Sequence, residues 1–483
     1  MTSTFGTYSV AYSGMYTSQA GLTATTNNLA NVSTTGASRV RVAAADTSKT
    51  QSDGSTLTSG ASVASITRAR DILLDATYRS QNADASYWAV KSGDLEFMQE
   101  LLSEYKADDG TSSDGLQQLL NDFFGSWSEL SQDPTNTTTR QEVVEYAQSL
   151  ISGLTELDGQ LQSLQADAVN GVIDGVDSLN SLAEQVAALT KGITEAEVNG
   201  SEASYLRDQR DALVDQMSAL ANITVTETST TFQVAINGAT LVNGNTARKL
   251  AVTGSGTTTE PLTITWADSG KGAGITSGSI AAYMEDADQT GYAALDTTSL
   301  PYDYSTSSVS SISNMRQALN DLLTTVAAEI NSLQTTNGGV ALFTTVDATQ
   351  ALSLTNIQVN PAVVADNTLI VAGTKSGDNS VAEAVCNLSE DDIFVFDGLA
   401  MDLGTFYESF VSWIGTAGDN AASSYETQAA LVTQVDNQRQ AVSSISMDEE
   451  MSNLIVYQEA YNASARVLST IDGLIGDLIQ DLG

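Results

Sequence analysis

Counting from Phe5 in alternate steps of three and four reaches Tyr8, Tyr12, Met15, Gln19, Leu22, Thr26 and Leu29, all apolar or aromatic except Gln19 and Thr26. The same count from Leu454 reaches Tyr457, Tyr461, Ser464, Leu468, Ile471, Ile475 and Leu478, with Ser464 the one polar position. This is the spacing of a coiled-coil seam, and a helix carrying such a stripe needs another surface to cover it. For a single helix the usual cover is a neighbouring domain. Matching stripes at the two ends of the chain instead predict a terminal helix pair, with everything between about residues 45 and 445 inserted into it. The closing helix has a legible start: Ser446 and Glu449 fit a Ser-x-x-Glu cap, and Asp448, Glu449 and Glu450 place negative charge at the positive end of the helix dipole. The opening helix runs into Asn27 to Val42, rich in Asn, Ser, Thr and Gly, and should end by about Gly36.

Between the ends the helical period persists. Asp71 to Tyr105 places Tyr78, Trp88, Leu95, Met98 and Leu102 inward, and a Gly/Asp/Ser turn follows. Leu116 to Leu130 reads as a helix stopped by Asp133-Pro134. Thr138 with Gln141 offers a second capping box, after which Val143, Ala147, Leu150, Leu154, Leu157, Leu161 and Leu164 keep a heptad. The stripe resumes in a new phase at Val172, Val176, Leu179, Ala183, Val186 and Ile193, and Gly171 and Gly175 at the phase change are expected to bend or interrupt it. Ala203 to Ala219 closes this helical run. The period then drops to two, with hairpin signals at Asn237-Gly238 and Asn243-Gly244. Ser311 to Gln334 is helical again, a mixed stretch with short strands runs to about residue 400, and a long helix from Thr405 to about Val442 leads to the Ser446 cap. The expected fold is mainly α with a β-rich insertion: a terminal coiled-coil domain (1–42 and 446–483), a helical-bundle domain with short strands (43–221 and 302–445) and a small outer β domain (222–301).

Composition narrows the function. With 59 acidic and 19 basic residues the net charge is −40, which repels a nucleic-acid backbone and anionic lipid alike. No apolar run approaches the roughly 20 residues that span a bilayer, so no membrane insertion is expected. There is no histidine, which removes the commonest general base, the Ser-His and Cys-His nucleophilic systems and His-ligated metal sites. Cys386, the single cysteine, lies in an apolar setting and reads as a small buried side chain. The amino terminus has no basic region before Arg39 and no continuous apolar core, so it does not read as a cleaved secretory signal. No catalytic, cofactor-binding or metal-binding residue is expected. Paired carboxylates in Glu390-Asp391-Asp392 and Glu285-Asp286-Asp288 could serve a hydrolase, but in so acidic a chain they read as solvated charge.

Ser13 to Arg39 contains Asn27-Asn28-Leu29-Ala30-Asn31 followed by Gly36, and resembles the amino-terminal motif shared by bacterial flagellar axial proteins. The Arg207-Asp208-Gln209-Arg210-Asp211 run, and the closing segment with Asp448-Glu449-Glu450, Tyr457-Gln458 and Ala460-Tyr461, resemble more specifically the flagellar hook-associated protein 1 family. One departure is Ser444, where the resemblance leads one to expect a glycine. The resemblance implies a structural protein of the hook-filament junction, and so homo-oligomeric in a ring that adjoins hook protein on one side and a second junction protein on the other. It also implies secretion by the flagellar type III export route to an extracellular position, an export chaperone on the carboxy-terminal helix, a role in motility, and Phe5, Leu22, Leu29, Leu454 and the rest of the two stripes as the assembly seam. A second junction protein, hook protein or flagellin shares the same terminal logic and is the main alternative; a surface adhesin would need a signal or anchor.

Overall fold

The structure, a computed structural model, describes all residues except 1–3, 35, 51–55, 103–114, 200–201, 229–230, 258, 290–301, 305–309, 397–398 and 483. The chain opens with α1 (Thr4–Ala30), enters a hairpin of β1 (Val40–Thr50) and β2 (Thr56–Arg68), and continues through α2 (Ile72–Leu102), α3 (Leu116–Gln132), α4 (Thr137–Ala196) and α5 (Ser204–Leu220). Short strands follow: β3 (Ile223–Glu227), β4 (Phe232–Ile236), β5 (Ala239–Asn243), β6 (Thr246–Ala247), β7 (Leu250–Thr253) and β8 (Thr263–Trp266). Then come α6 (Ser279–Asp286), β9 (Tyr302–Tyr304), α7 (Ser311–Thr336), β10 (Phe343–Thr344), β11 (Gln358–Val359), α8 (Pro361–Ala365), α9 (Ser380–Asn387), β12 (Phe394–Phe396) and β13 (Leu399–Met401). Two long helices, α10 (Leu403–Ser443) and α11 (Met447–Leu482), close the chain. The fold is mainly α with small, mostly antiparallel sheets. No helix among the described residues is long and apolar enough to cross a membrane.

Two compact units result, one of Met1–Ala83, Ser178–Lys249 and Gln428–Gly483, the other of Asp84–Asp177 and Leu250–Thr427. The second unit holds a large apolar core. Met98, Phe123, Trp127, Leu130, Leu150, Leu154 and Leu161 are sealed within it, together with Leu323 of α7 and Phe406 and Phe410 of α10. The heptad on α4 is thus a core stripe, with Leu157 and Leu164 at its margin. Cys386 is half-buried against this core, and burial pushes its thiol up.

Two expectations about α4 are corrected. Its cap is Asn136, whose Oδ1 accepts the Thr138 N–H at 2.8 Å; Thr138 already lies inside the helix. The helix also runs unbroken past Gly171 and Gly175. Those glycines admit α6: a Cβ at Gly171 would sit 2.8 Å from the Tyr283 ring, and one at Gly175 would sit 2.7 Å from Ile280. The Gly/Asp/Ser turn expected after α2 lies outside the described residues.

In the first unit, β3–β6 form a four-stranded antiparallel sheet whose β4–β5 turn is Asn237-Gly238, with φ of 46° and 77° as a two-residue hairpin turn requires. Strands β3 to β8 therefore belong to two sheets, since β7 and β8 pair with each other in the second unit. The β1–β2 hairpin carries register shifts at Ala43/Ala44 and Thr47/Ser48 and lies along α1, where Ser13 Oγ accepts the Ala61 N–H at 3.1 Å.

Candidate functional site

The terminal helices pack against each other as antiparallel partners. A Cβ on Gly14 would lie 3.1 Å from Ser464 Oγ, and one on Gly21 would lie 2.5 Å from the Tyr457 ring. Asn28 Nδ2 donates to Glu450 Oε2 at 3.0 Å. These three contacts step by one heptad along α1 while stepping back by one along α11, the regular register of a coiled-coil pair. The face of α1 that is buried is Ala11, Ser18, Gly21, Ala24, Thr25 and Asn28. It is shifted by one residue from the count that starts at Phe5. Small side chains let the two backbones come close, and α11 supplies the bulk through Leu454, Tyr457, Tyr461, Leu468, Ile471 and Ile475, all half-buried or buried.

The larger residues of α1 consequently divide. Met15, Leu22 and Leu29 are half-buried, whereas Tyr8 and Tyr12 remain 43% and 53% exposed, with Tyr16 beside them at 60%. Tyr8 and Tyr12 are therefore corrected as contacts within the pair: they form an outward aromatic stripe. The side chains of Phe5 and Leu478 lie outside the described set. A second apolar stripe, with Val456, Val467 and Leu474 exposed, faces outward from α11. Beside α1 a cavity of about 830 Å³ is lined by Tyr16, Gln19, Thr23, Asn27, Tyr205 and Gln209, among others.

The Asn-rich motif acts at the base of this pair. Asn28, 3% exposed, accepts the Val40 N–H and donates to the Val40 carbonyl, both at 2.9 Å, as well as holding Glu450. An amide is the side chain that carries acceptor and donor at one site, so it can serve both backbone groups of Val40 and a carboxylate together. Asn31 folds back on the Asn27 carbonyl, Ala30 is exposed, and Gly36 takes φ 81° in the turn that follows. Arg39 then joins three segments: its N–H bonds the Ser443 carbonyl at 2.8 Å, its carbonyl accepts from Ala69, and its guanidinium pairs with Glu449. Ser446 caps α11 with its carbonyl on the Glu450 N–H and a long 3.5 Å contact from its hydroxyl to the Glu449 N–H. The Glu449 side chain does not close a capping box; it is committed to Arg39. Asp448 lies in the first turn of α11, where it faces the dipole.

The Arg207 to Asp211 run sits inside a cluster of buried charge. Asp208 accepts from both the backbone and the hydroxyl of Ser38, and from Arg68 at 2.7 Å, so it fixes the chain before β1 to the end of β2. Asp211 receives Arg68 at 2.8 Å and Arg70 at 3.5 Å. Arg70 also pairs with Asp75 at 2.9 Å. One turn on, Asp215 receives Arg79 at 2.7 Å and Arg439 of α10 at 2.6 Å, and Arg439 covers the Tyr78 ring at 3.9 Å. Arg207 pairs with Glu197 and Glu227, each at 2.6 Å, while Arg210 shares Glu227 and stacks on Phe232 at 3.6 Å. Gln209 bonds the Tyr205 hydroxyl at 2.7 Å. Six arginines of a chain with only 19 basic residues thus meet here. Burial alone would push Asp211 up, but Arg68, Arg70, Arg210 and Arg79 outweigh it and hold its carboxyl below the usual range. Removing one member of such a network strands a buried charge, which costs about 3–5 kcal/mol. The arrangement is a clasp: it sets hairpin, α2, α5 and the end of α10 in one geometry at the root of the helix pair.

The two carboxylate clusters offered for hydrolysis are not assembled for it. Glu390, Asp391 and Asp392 are exposed. In the other, Glu285 takes the Tyr87 hydroxyl at 2.6 Å and Asp286 takes Lys91 at 2.7 Å. Among the described residues no group of three acidic or cysteine side chains is placed to hold a metal.

Comparison with known proteins follows the same lines. Residues 107–343 match the family model described as the flagellar hook-associated protein FlgK helical domain, and residues 439–481 match that of the flagellar basal body rod FlgEFG protein C-terminal. The chain is 26% identical to flagellar hook-associated protein 1 of Bacillus subtilis, covering 100% of this chain and 99% of that one. It is 25% identical to flagellar hook-associated protein 1 of Escherichia coli, with 97% and 98% covered. Its fold is similar to that of the flagellar hook junction protein FlgK from Burkholderia pseudomallei, with a TM-score of 0.59 at 15% identity over 76% of this chain and 100% of that one.

Proposed function

The chain belongs to the flagellar hook-associated protein 1 family, a family of structural flagellar proteins and not of enzymes, and on that premise we propose that it forms the ring joining hook to filament. The observation that carries the reading is the pair of outward apolar stripes on a clasped helix pair: α1 and α11 satisfy each other through small residues and leave Tyr8, Tyr12 and Tyr16 on one side and Val467 and Leu474 on the other for further helices. In this reading residues 1–42 and 446–483 form the inner axial layer, and copies of the chain pack stripe to stripe. The cavity beside Tyr16 and Tyr205 lies along the outward face of α1, where a neighbouring helix would seat. Head-to-tail contacts of this kind close into a ring when the rotation between copies divides a full turn.

Hook protein on one side and the second junction protein on the other are the proposed neighbours, which requires faces that differ end to end. The same stripes need cover before assembly, which is the role proposed for an export chaperone on α11. Export would follow the flagellar type III route to an extracellular position. The buried clasp supplies what a mechanical joint needs, a fixed angle between the helix pair and the elements at its root.

Deleting the gene in its own bacterium tests the proposal. Intact hooks without filaments, flagellin shed into the medium and recovery on complementation are expected. Normal filaments and swimming in the deletion strain, with no second copy of the gene, would overturn it.

A further inference from the structure

The unit formed by Asp84–Asp177 and Leu250–Thr427 contains a charge cluster that the assembly reading does not use. Asp286, at the end of α6, is 1% exposed. Its Oδ1 receives the ammonium of Lys91, itself 7% exposed, at 2.7 Å. Its Oδ2 is equally buried, and among the described residues no donor reaches it. Asp94, one turn beyond Lys91 on α2, lies within hydrogen-bonding reach of the Asp286 side chain, and it is another carboxyl group. Two ionised carboxylates in contact in a buried site repel each other, whereas one proton between them turns the repulsion into a short hydrogen bond.

We propose that Asp94 and Asp286 share one proton, with Asp94 donating to Asp286 Oδ2, and that this proton fastens α6 to α2 so that the unit tightens as the pH falls below neutrality. The proton sits on Asp94 because Lys91 already neutralises the other partner. The remaining groups facing the pair fit this assignment. From α2, Tyr87 donates to Glu285 at 2.6 Å, and Lys91 lies 3.6 Å from Glu285 as well as on Asp286. From α6, Tyr283 packs into the gap left by Gly171 of α4, and its phenol is raised by burial and by the two aspartates. From α4, Asp167 adds further negative charge. Burial first, then Asp286, pushes Asp94 up to about 7.

The sign of the linkage follows from a folded value above the unfolded one of 3.8. The folded state binds the extra proton between those two values, so stability is greatest near the lower one, falls as pH rises toward 7 and is flat above it. One such proton changes the folded-to-unfolded ratio by up to about tenfold per pH unit within the window. Burial also pushes Asp321 of α7 up to about 7 in this unit, so its contribution has to be removed from the measurement.

The test uses the full chain carrying Asp321→Asn. Trp88, Trp127, Trp266 and Trp413 are the chain's only tryptophans, and all lie in this unit. Their fluorescence during urea unfolding, between about pH 5 and pH 8, therefore reads its stability. The midpoint should climb as pH falls, and Asp94→Asn, whose amide donates at every pH, should remove that one-proton slope. Lys91→Met should move the onset of the slope to higher pH, because the ammonium opposes protonation of Asp94. A slope unchanged by Asp94→Asn, or an onset that stays put or falls with Lys91→Met, overturns the proposal. Should Asp94→Asn not fold, the infrared band of a protonated carboxyl decides: it must be present at pH 6 in the Asp321→Asn chain and fade above neutrality, and its absence overturns the proposal equally.

Discussion

Replacing Asn28 by alanine is predicted to loosen the root of the terminal helix pair while leaving the helical unit untouched. The substitution removes three hydrogen bonds, to the Val40 N–H, the Val40 carbonyl and Glu450, from a side chain that is 3% exposed. Each buried group left without a partner costs about 1–3 kcal/mol, and water entering the space of the lost amide recovers part of that. A net loss of roughly 2–4 kcal/mol follows, which corresponds to local opening about thirty- to several-hundred-fold more frequent. Hydrogen exchange read by mass spectrometry on the full chain measures it directly. Peptides from α1 and α11 should exchange faster by that factor, while peptides from α3 and α9 should match the wild type. Asn28→Asp should be at least as severe, because it faces Glu450 with a second carboxylate and removes the donor to Val40. Exchange in α1 and α11 that stays within threefold of wild type for Asn28→Ala would rule out this role for Asn28, as would equal acceleration in α3 and α9.

Other consequences are as direct. Gly21→Ala places a methyl group 2.5 Å from the Tyr457 ring, so it should destabilise the helix pair by about 1–3 kcal/mol, seen as faster exchange in α11 and relieved by Tyr457→Ala in the same chain. Gly171→Ala tests a sign: alanine raises helix propensity by about 1 kcal/mol, but here its Cβ meets Tyr283 at 2.8 Å, so the urea midpoint read by tryptophan fluorescence should fall. The clasp should respond to acid in the opposite sense to Asp94. The folded Asp211 carboxyl is held below its unfolded 3.8 by surrounding arginines, so its stabilisation is complete above that value and is lost as pH falls through the lower folded one. Protection in α5 and the β1–β2 hairpin, taken relative to the intrinsic exchange rate at each pH, should therefore be flat from pH 7 to about pH 5 and fall only in stronger acid.

How much of this was legible in the sequence depended on which force shaped each element. The heptad on α4 is built from large side chains in a core, and Val143, Ala147, Leu150, Leu154 and Leu161 are all fully buried as their spacing implies. On α1 the same count followed the largest residues and so traced the outward face, because the packing against α11 is made by Gly14, Ser18 and Gly21, which carry little hydrophobic signal. Glycines in α4 suggested a break for a related reason: spacing alone does not distinguish a glycine that weakens a helix from one that admits Tyr283. The β1–β2 hairpin was not foreseen, since Ala, Ser and Thr alternate weakly there and backbone pairing does most of the ordering. The Arg207 to Asp211 run was visible as a motif, but Arg68, Arg70, Arg79 and Arg439 come from distant segments, and only the fold brings them to Asp208, Asp211 and Asp215.

We assign the outward stripe of α1 to assembly and not to the stability of the chain itself. Tyr8, Tyr12 and Tyr16 are all more than two-fifths exposed, so replacing the three by serine should leave the purified chain unfolding in urea as wild type does. Expressed in place of the native gene, that variant should give hooks without filaments and flagellin released into the medium. Filaments of normal number and length on cells making only the triple variant would rule out an assembly role for the stripe.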